Sequence, residues 1–297
     1  FLGHDMWRDV VEISRLKNLI LASITVPLGA HIALSGEWSS DAIIQICIQT
    51  CSVIFFMASG NIVNDIYDLE IDRKAHPERV LPSGRMSIST AKKFTLGFGL
   101  FSFVLMSIGF ALTQSWYAVL IWVLAFLLMI SYDMGWATKQ KGILGNVVIS
   151  LLVAAVILYG GASVSSLSSP LLWYASAVAF FANLGREIIK DCEDMESDFN
   201  RETLPKIVGL EKARMYGYVS VLVSLVLLYI PHWKGPLSFG LLPLQIPAIL
   251  MLITLNAPLM KGDDYVAQRR VRLAMLFGLL FSLSSFELIS LLVSIIG

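Results

Sequence analysis

Eight side chains with carboxylate or amide heads fall into two sets at one offset. Asn61, Asp65, Asp68 and Asp72 lie in GNIVNDIYDLEID; Glu187, Asp191, Asp194 and Asp198 lie in REIIKDCEDMESD, each 126 positions after its counterpart. Ile62/Ile188 and Glu70/Glu196 match at the same offset. On a helix turning ~100° per residue, each set covers an arc of about 60° and forms one stripe. Carboxylates gathered in a low dielectric repel strongly, and a multivalent cation neutralises them. Oxygen donors without histidine or thiolate favour Mg²⁺ over zinc or copper, and Mg²⁺ is commonly shared between carboxylates and substrate phosphates. The competing reading is a set of interfacial charges paired with neighbouring Arg and Lys.

The segments after each stripe fit phosphate. RKAHPERVLPSGR follows Asp72 and FNRETLPK follows Asp198. Arg79, Arg85, Arg201 and Lys206 are placed to flank a metal-bound diphosphate, and Arg suits bidentate contact. Lys92, Lys93, Lys212 and Arg214 need only the ordinary bias of basic residues towards the cytoplasm. Two smaller groups point the same way. Arg15 and Asn18 stand one turn apart in RLKN, and SYDMGWATKQKGILGN carries Tyr132, Asp133, Lys139 and Asn146. For Arg15, Tyr132 and Lys139 the alternative is anchoring of helix ends. The four histidines are scattered, and the three cysteines lack metal-knuckle spacing.

The elements that position these residues are membrane helices. The chain has 297 residues, 56% of them hydrophobic, with zero net charge. Apolar runs of roughly 20 residues, enough to cross a hydrocarbon core, recur throughout. The expected fold is an all-α polytopic membrane protein of nine transmembrane helices, at about 16–36, 41–70, 88–111, 115–135, 142–162, 169–194, 211–231, 238–259 and 268–296. That count puts 21 of the 22 Lys and Arg on one side, leaving Lys234 opposite. The amino terminus and acidic loops are then cytoplasmic and the carboxyl terminus external, in a cell membrane. Zero net charge suggests no nucleic-acid partner. No cleavable signal peptide is expected, and FLGHD ahead of Met6 reads as an expression scar. The whole of 1–297 reads as one membrane-embedded domain. Its two four-helix repeats, about 15–135 and 141–260, share one membrane orientation, with a site between them and a ninth helix added.

These residues resemble the UbiA superfamily of intramembrane prenyltransferases. The superfamily's NDxxDxxxD motif stands as Asn64, Asp65, Asp68 and Asp72, and its second motif as Asp191, Asp194 and Asp198. The resemblance spans essentially the whole chain. It implies a ring of helices around a central cavity with a cytoplasmic cap, and two Mg²⁺ ions bridging an isoprenyl diphosphate. Asn64, Asp68 and Asp72 would hold one ion and Asp191, Asp194 and Asp198 the other, with Asp65 orienting these or a basic partner. Arg15, Arg79 and Lys139 would contact diphosphate; Arg85, Arg186 and Lys206 are candidates for an anionic acceptor. Asn18, Tyr132 and Asn146 complete the substrate-binding set. REIIKDCEDMESD followed by TLPKIVG is most similar to the archaeal branch that adds a geranylgeranyl chain to geranylgeranylglyceryl phosphate, a lipid-phosphate acceptor. Ser197-Asp198 and Arg79-Val80 depart from the usual Gly-Asp and Arg-Pro. The alternatives are an aromatic or tetrapyrrole acceptor, or a cation or phosphate carrier. The resemblance does not indicate oligomeric state.

Overall fold

In a computed structural model describing residues 2–196 and 201–278, the protein is built from helices, with one isolated bridge between Lys141 and Glu202. The chain opens with α1 (Leu2–Ile13), α2 (Leu16–Ala33), α3 (Ser40–Tyr67), α4 (Leu69–Ala75), α5 (Ile88–Thr113) and α6 (Trp116–Asp133). It continues with α7 (Ile143–Ser163), α8 (Pro170–Glu193), α9 (Leu204–Val208), α10 (Leu210–Trp233), α11 (Ile246–Ile253) and α12 (Asn256–Met260). A last helix, α13, runs through 264–278. Serines start three of the long helices. Ser39, Ser87 and Ser115 accept from the backbone N–H three residues on, capping α3, α5 and α6.

Among the described residues, seven stretches are long and apolar enough to cross a membrane: α2, α3, α5, α6, α7, α10 and Phe239–Met260. This is a multi-pass helical membrane protein. The helix α8 is also long, but Arg186, Glu187, Lys190 and Asp191 crowd its last turns. Most of the expected span 268–296 lies outside the described residues, as does Asp198.

Two expectations are corrected. The 41–70 helix ends at Tyr67, and Asp68 caps it before α4 begins. The 238–259 helix is a 3₁₀ turn (Phe239–Gln245) followed by α11 and α12, because Pro243, Pro247 and Pro258 remove helix donors along it. The first helix begins at Leu2.

Small residues set the closest crossings. A Cβ at Gly29 would lie 2.0 Å from the Ile157 carbonyl oxygen, and one at Gly160 2.1 Å from that of Val26, so α2 and α7 touch backbone to backbone. Gly185 and Gly217 do the same for α8 and α10. Several interior polar groups find partners across helices, the pairing that hydrocarbon favours. Ser52 donates to the Ser102 carbonyl at 2.8 Å, Trp122 Nε1 to the Ser102 hydroxyl at 3.2 Å, and Tyr159 to Gln49. The outer faces of α5 and α6 expose Leu96, Leu100, Leu112, Leu120 and Leu127, a surface suited to lipid.

Candidate active site

The two acidic helices end alike. Asp68 caps α3 with φ −89° and ψ 4°, and Asp194 caps α8 with φ −85° and ψ 2°. Their N–H groups donate to the carbonyls of Asn64 and Lys190, positions again separated by the sequence offset. The polypeptide thus leaves both helices at the same point of the motif.

Asp68 is the junction. Lys139 Nζ donates to its Oδ1 at 2.7 Å, and Arg201 Nη2 to its Oδ2 at 3.0 Å. Arg201 comes from the loop after the second motif, so that loop reaches the first motif directly. Two local devices support it. Gly142 N–H donates to the Glu202 carbonyl at 2.6 Å, and Glu202 N–H to that of Gln140 at 3.3 Å, tying the 138–142 turn to the same loop. The turn itself packs against α7, where a Cβ at Gly145 would lie 2.7 Å from Lys139 Cα. Burial raises the pKa of Asp68, but Arg201 and Lys139 outweigh it and hold the carboxyl below its ordinary value.

The same pairing recurs around it. Lys139 also donates to Asp133 Oδ1 at 2.6 Å, and Asn64 Nδ2 to that same oxygen at 2.9 Å. Arg15 Nη2 donates to Asn64 Oδ1 at 2.9 Å and to Asp65 Oδ1 at 2.5 Å. Arg15 sits between α1 and α2 in the left-handed region, φ 56°, uncommon for a side chain of its size. Arg79 Nη1 reaches both oxygens of Asp72 at 2.8 Å. Asp65, Asp68, Asp72 and Asp133 are all buried, and each has a basic partner.

The second motif has partners of its own. Asn146 Nδ2 donates to Asp191 Oδ2 at 2.8 Å, and Lys190 lies 3.4 Å from Asp194. Tyr132 stands one residue before Asp133 in the last turn of α6. Three expected acceptor contacts lie elsewhere or are engaged. Arg85 binds Asp9 at 2.5 Å and Glu12 at 2.6 Å, fastening α1. Arg186 pairs with Glu187, and Lys206 Nζ donates to the Arg201 carbonyl at 3.0 Å. Asn18 is exposed. Arg201, expected to flank a metal-bound diphosphate, meets Asp68; Asp133, to which the sequence assigns no role, joins the junction through Lys139 of the 138–142 turn.

The donor set is chemically suited to a hard cation: carboxylates and an amide. Among the described residues, no three acidic, His or Cys side chains converge closely enough to hold an ion. The first-motif carboxylates are instead neutralised by Arg15, Lys139, Arg201 and Arg79. A cation would take the place of those partners, and the freed guanidinium and ammonium groups would be left for its anionic ligand.

Residues 22–280 match the UbiA prenyltransferase family. The chain belongs to that family. Digeranylgeranylglyceryl phosphate synthase of Methanopyrus kandleri is 33% identical over 282 residues, covering 94% of this chain and 99% of the relative. The Pyrococcus horikoshii protein of the same name is 33% identical and covers 81% and 83% of the two chains. A solved structure described as giving structural and mechanistic insights into digeranylgeranylglyceryl phosphate synthase in membranes superposes with TM-score 0.76 at 27% identity, covering 94% of this chain and 98% of that one. A UbiA homologue from Archaeoglobus fulgidus, solved with DMAPP and Mg²⁺, superposes at TM-score 0.69 with 16% identity over 94% of this chain and 99% of its own, a likeness of fold.

Proposed function

We propose that this prenyltransferase transfers a geranylgeranyl group from geranylgeranyl diphosphate to the free hydroxyl of geranylgeranylglyceryl phosphate. The observation that carries the reading is the Asp68 junction, where Lys139 and the second-motif loop's Arg201 meet a first-motif carboxylate. The named relatives, matched over nearly their full length, supply the substrate class. Asn64, Asp68 and Asp72, with Asp191, Asp194 and Asp198, would hold two Mg²⁺ ions, which supply charge neutralisation at the departing diphosphate. Arg15, Arg79, Lys139 and Arg201 turn from carboxylates to the donor's phosphate oxygens. Charge accumulates there as the C1–O bond breaks and its electron pair leaves with diphosphate. The allylic cation is captured by the acceptor hydroxyl, forming the ether bond. The hydroxyl proton passes to a carboxylate of the second motif. Exclusion of water protects the cation from hydrolysis.

The nine-span topology, the parallel repeat and the cytoplasmic position of the cap belong to the same proposal. The matching caps at Asp68 and Asp194 support it, as do the corresponding pairings of α3 with α5 and α8 with α10. A carrier would place its carboxylates near the bilayer midplane, whereas these close the helix ends. Purified protein given labelled geranylgeranyl diphosphate, Mg²⁺ and geranylgeranylglyceryl phosphate should form the two-chain lipid phosphate and stop when Mg²⁺ is chelated. Prenylation of 4-hydroxybenzoate with none of the lipid phosphate would refute the acceptor assignment.

A further inference from the structure

The junction of α1 and α2 borders an open groove of about 770 Å³, a volume within the ~300–1,000 Å³ of ordinary ligand sites. Its lining is split by chemistry. Trp7, Val11 and Leu16 give it apolar walls, and they are 66%, 45% and 49% exposed. Arg8 and Lys17 give it positive charge. Among the described residues neither forms an ion pair, and Glu12 is the one acid in the lining. Arg85 already neutralises Glu12 through bonds of 2.6 and 2.9 Å. The groove is therefore left with net positive charge. Its apolar wall continues along α2 through exposed Ile20 and Leu21, into a span that crosses the membrane.

Arg15 links this groove to the site. It lines the groove, and its Nη2 bonds Asn64 and Asp65 of the first motif. An occupant would thus lie beside the reacting centre, with its charge held by cations the diphosphate site does not use. The chemistry required is a single anionic head on an apolar chain.

We propose that this groove docks the acceptor lipid: its phosphate monoester against Arg8 and Lys17, its isoprenyl chain along Trp7, Leu16 and the exposed face of α2. The inference rests on the lipid-phosphate acceptor reading and assigns that acceptor a place. A donor diphosphate would be the weaker occupant, since Arg15, Arg79, Lys139 and Arg201 already surround its expected position.

The test is equilibrium binding to the full chain in phosphatidylcholine nanodiscs, with radiolabelled geranylgeranylglyceryl phosphate, its dephosphorylated alcohol and geranylgeranyl diphosphate as probes. Arg8→Gln/Lys17→Gln should raise the Kd for the lipid phosphate about tenfold, or about 1.4 kcal/mol. The Kd values for alcohol and diphosphate should stay within twofold of wild type, the diphosphate value reporting an intact fold. Trp7→Ala should weaken lipid phosphate and alcohol alike. An unchanged lipid-phosphate Kd in Arg8→Gln/Lys17→Gln overturns the proposal. So does an equal loss for all three probes, the pattern of general membrane anchoring. Binding is read without turnover, so a wild type that binds the lipid phosphate in the groove but never prenylates it contradicts the acceptor reading and leaves the groove assignment standing.

Discussion

Replacing Lys139 with Met tests whether the junction is held by charge. The ammonium bridges Asp68 and Asp133 at 2.7 and 2.6 Å, and the three side chains are 4%, 12% and 3% exposed. Its loss is unequal for the two acids. Asp68 retains Arg201 at 3.0 Å, whereas among the described residues Asp133 retains only the Asn64 amide at 2.9 Å. A buried carboxylate stripped of its cation protonates rather than staying charged. Bringing an ordinary aspartate to neutrality at pH 7 costs about 4 kcal/mol, which caps the penalty. Breaking buried pairs typically costs about 3–5 kcal/mol, so Lys139→Met should destabilise by about 3–4 kcal/mol. At roughly 2 °C per kcal/mol for a chain of this size, Tm in nanodiscs should fall by roughly 6–8 °C. Asp133→Asn removes the stranded charge. The double variant Asp133→Asn/Lys139→Met should therefore melt at or above Lys139→Met alone, with a coupling of about 2 kcal/mol. Simple addition of the two single losses would refute a charge-held junction and leave Lys139 as a packing residue.

Asp68→Ala or Asp194→Ala should each abolish turnover while leaving the helical circular dichroism signal intact; full activity in either sinks the two-motif centre. For α1, the Arg85 hydrogen bond holds Glu12 below its ordinary value of 4.5, a shift that burial partly opposes. A depressed carboxylate contributes stability above its unfolded pKa and loses it as pH falls through the folded one. Protection of α1 from proteolysis should therefore weaken as pH drops below 4.5, and Arg85→Gln should lower protection and flatten that dependence; weakening as pH rises would contradict it. On a cysteine-free background, cysteines at exposed Lys74 and Glu202 should label from the same side of the membrane, and labelling from opposite sides would break the proposed topology.

What the sequence revealed, and what it hid, follows from range. Apolar runs mark α2, α3, α5, α6, α7 and α10 because lipid demands long uninterrupted hydrophobic helices. The acidic motifs stand out because carboxylates beside such helices are costly. The helix α1 escaped notice: it has too many charges to look like a span. Its signal is amphipathic, with Val10 and Ile13 buried and Trp7 and Val11 exposed. The role of Arg85 was hidden for the same reason, since its partners Asp9 and Glu12 lie over seventy residues away on that unseen helix. Lys139 was recognisable as a basic residue near a helix end. Its bridge from Asp68 to Asp133 depends on a turn that no hydrophobic period encodes. The prolines at 243, 247 and 258 were readable in advance, and the hydropathy of the stretch masked them.

The central claim is that the two motif loops close one centre that prenylates a lipid phosphate. It is tested most directly by competition: wild-type protein, labelled geranylgeranyl diphosphate and Mg²⁺, with geranylgeranylglyceryl phosphate and 4-hydroxybenzoate present together in equal amounts. The predicted result is label in the two-chain lipid phosphate, with a kcat/KM preference of at least roughly a hundredfold, about 2.7 kcal/mol in transition-state binding. Equal partition, or label in the aromatic product, would contradict the claim.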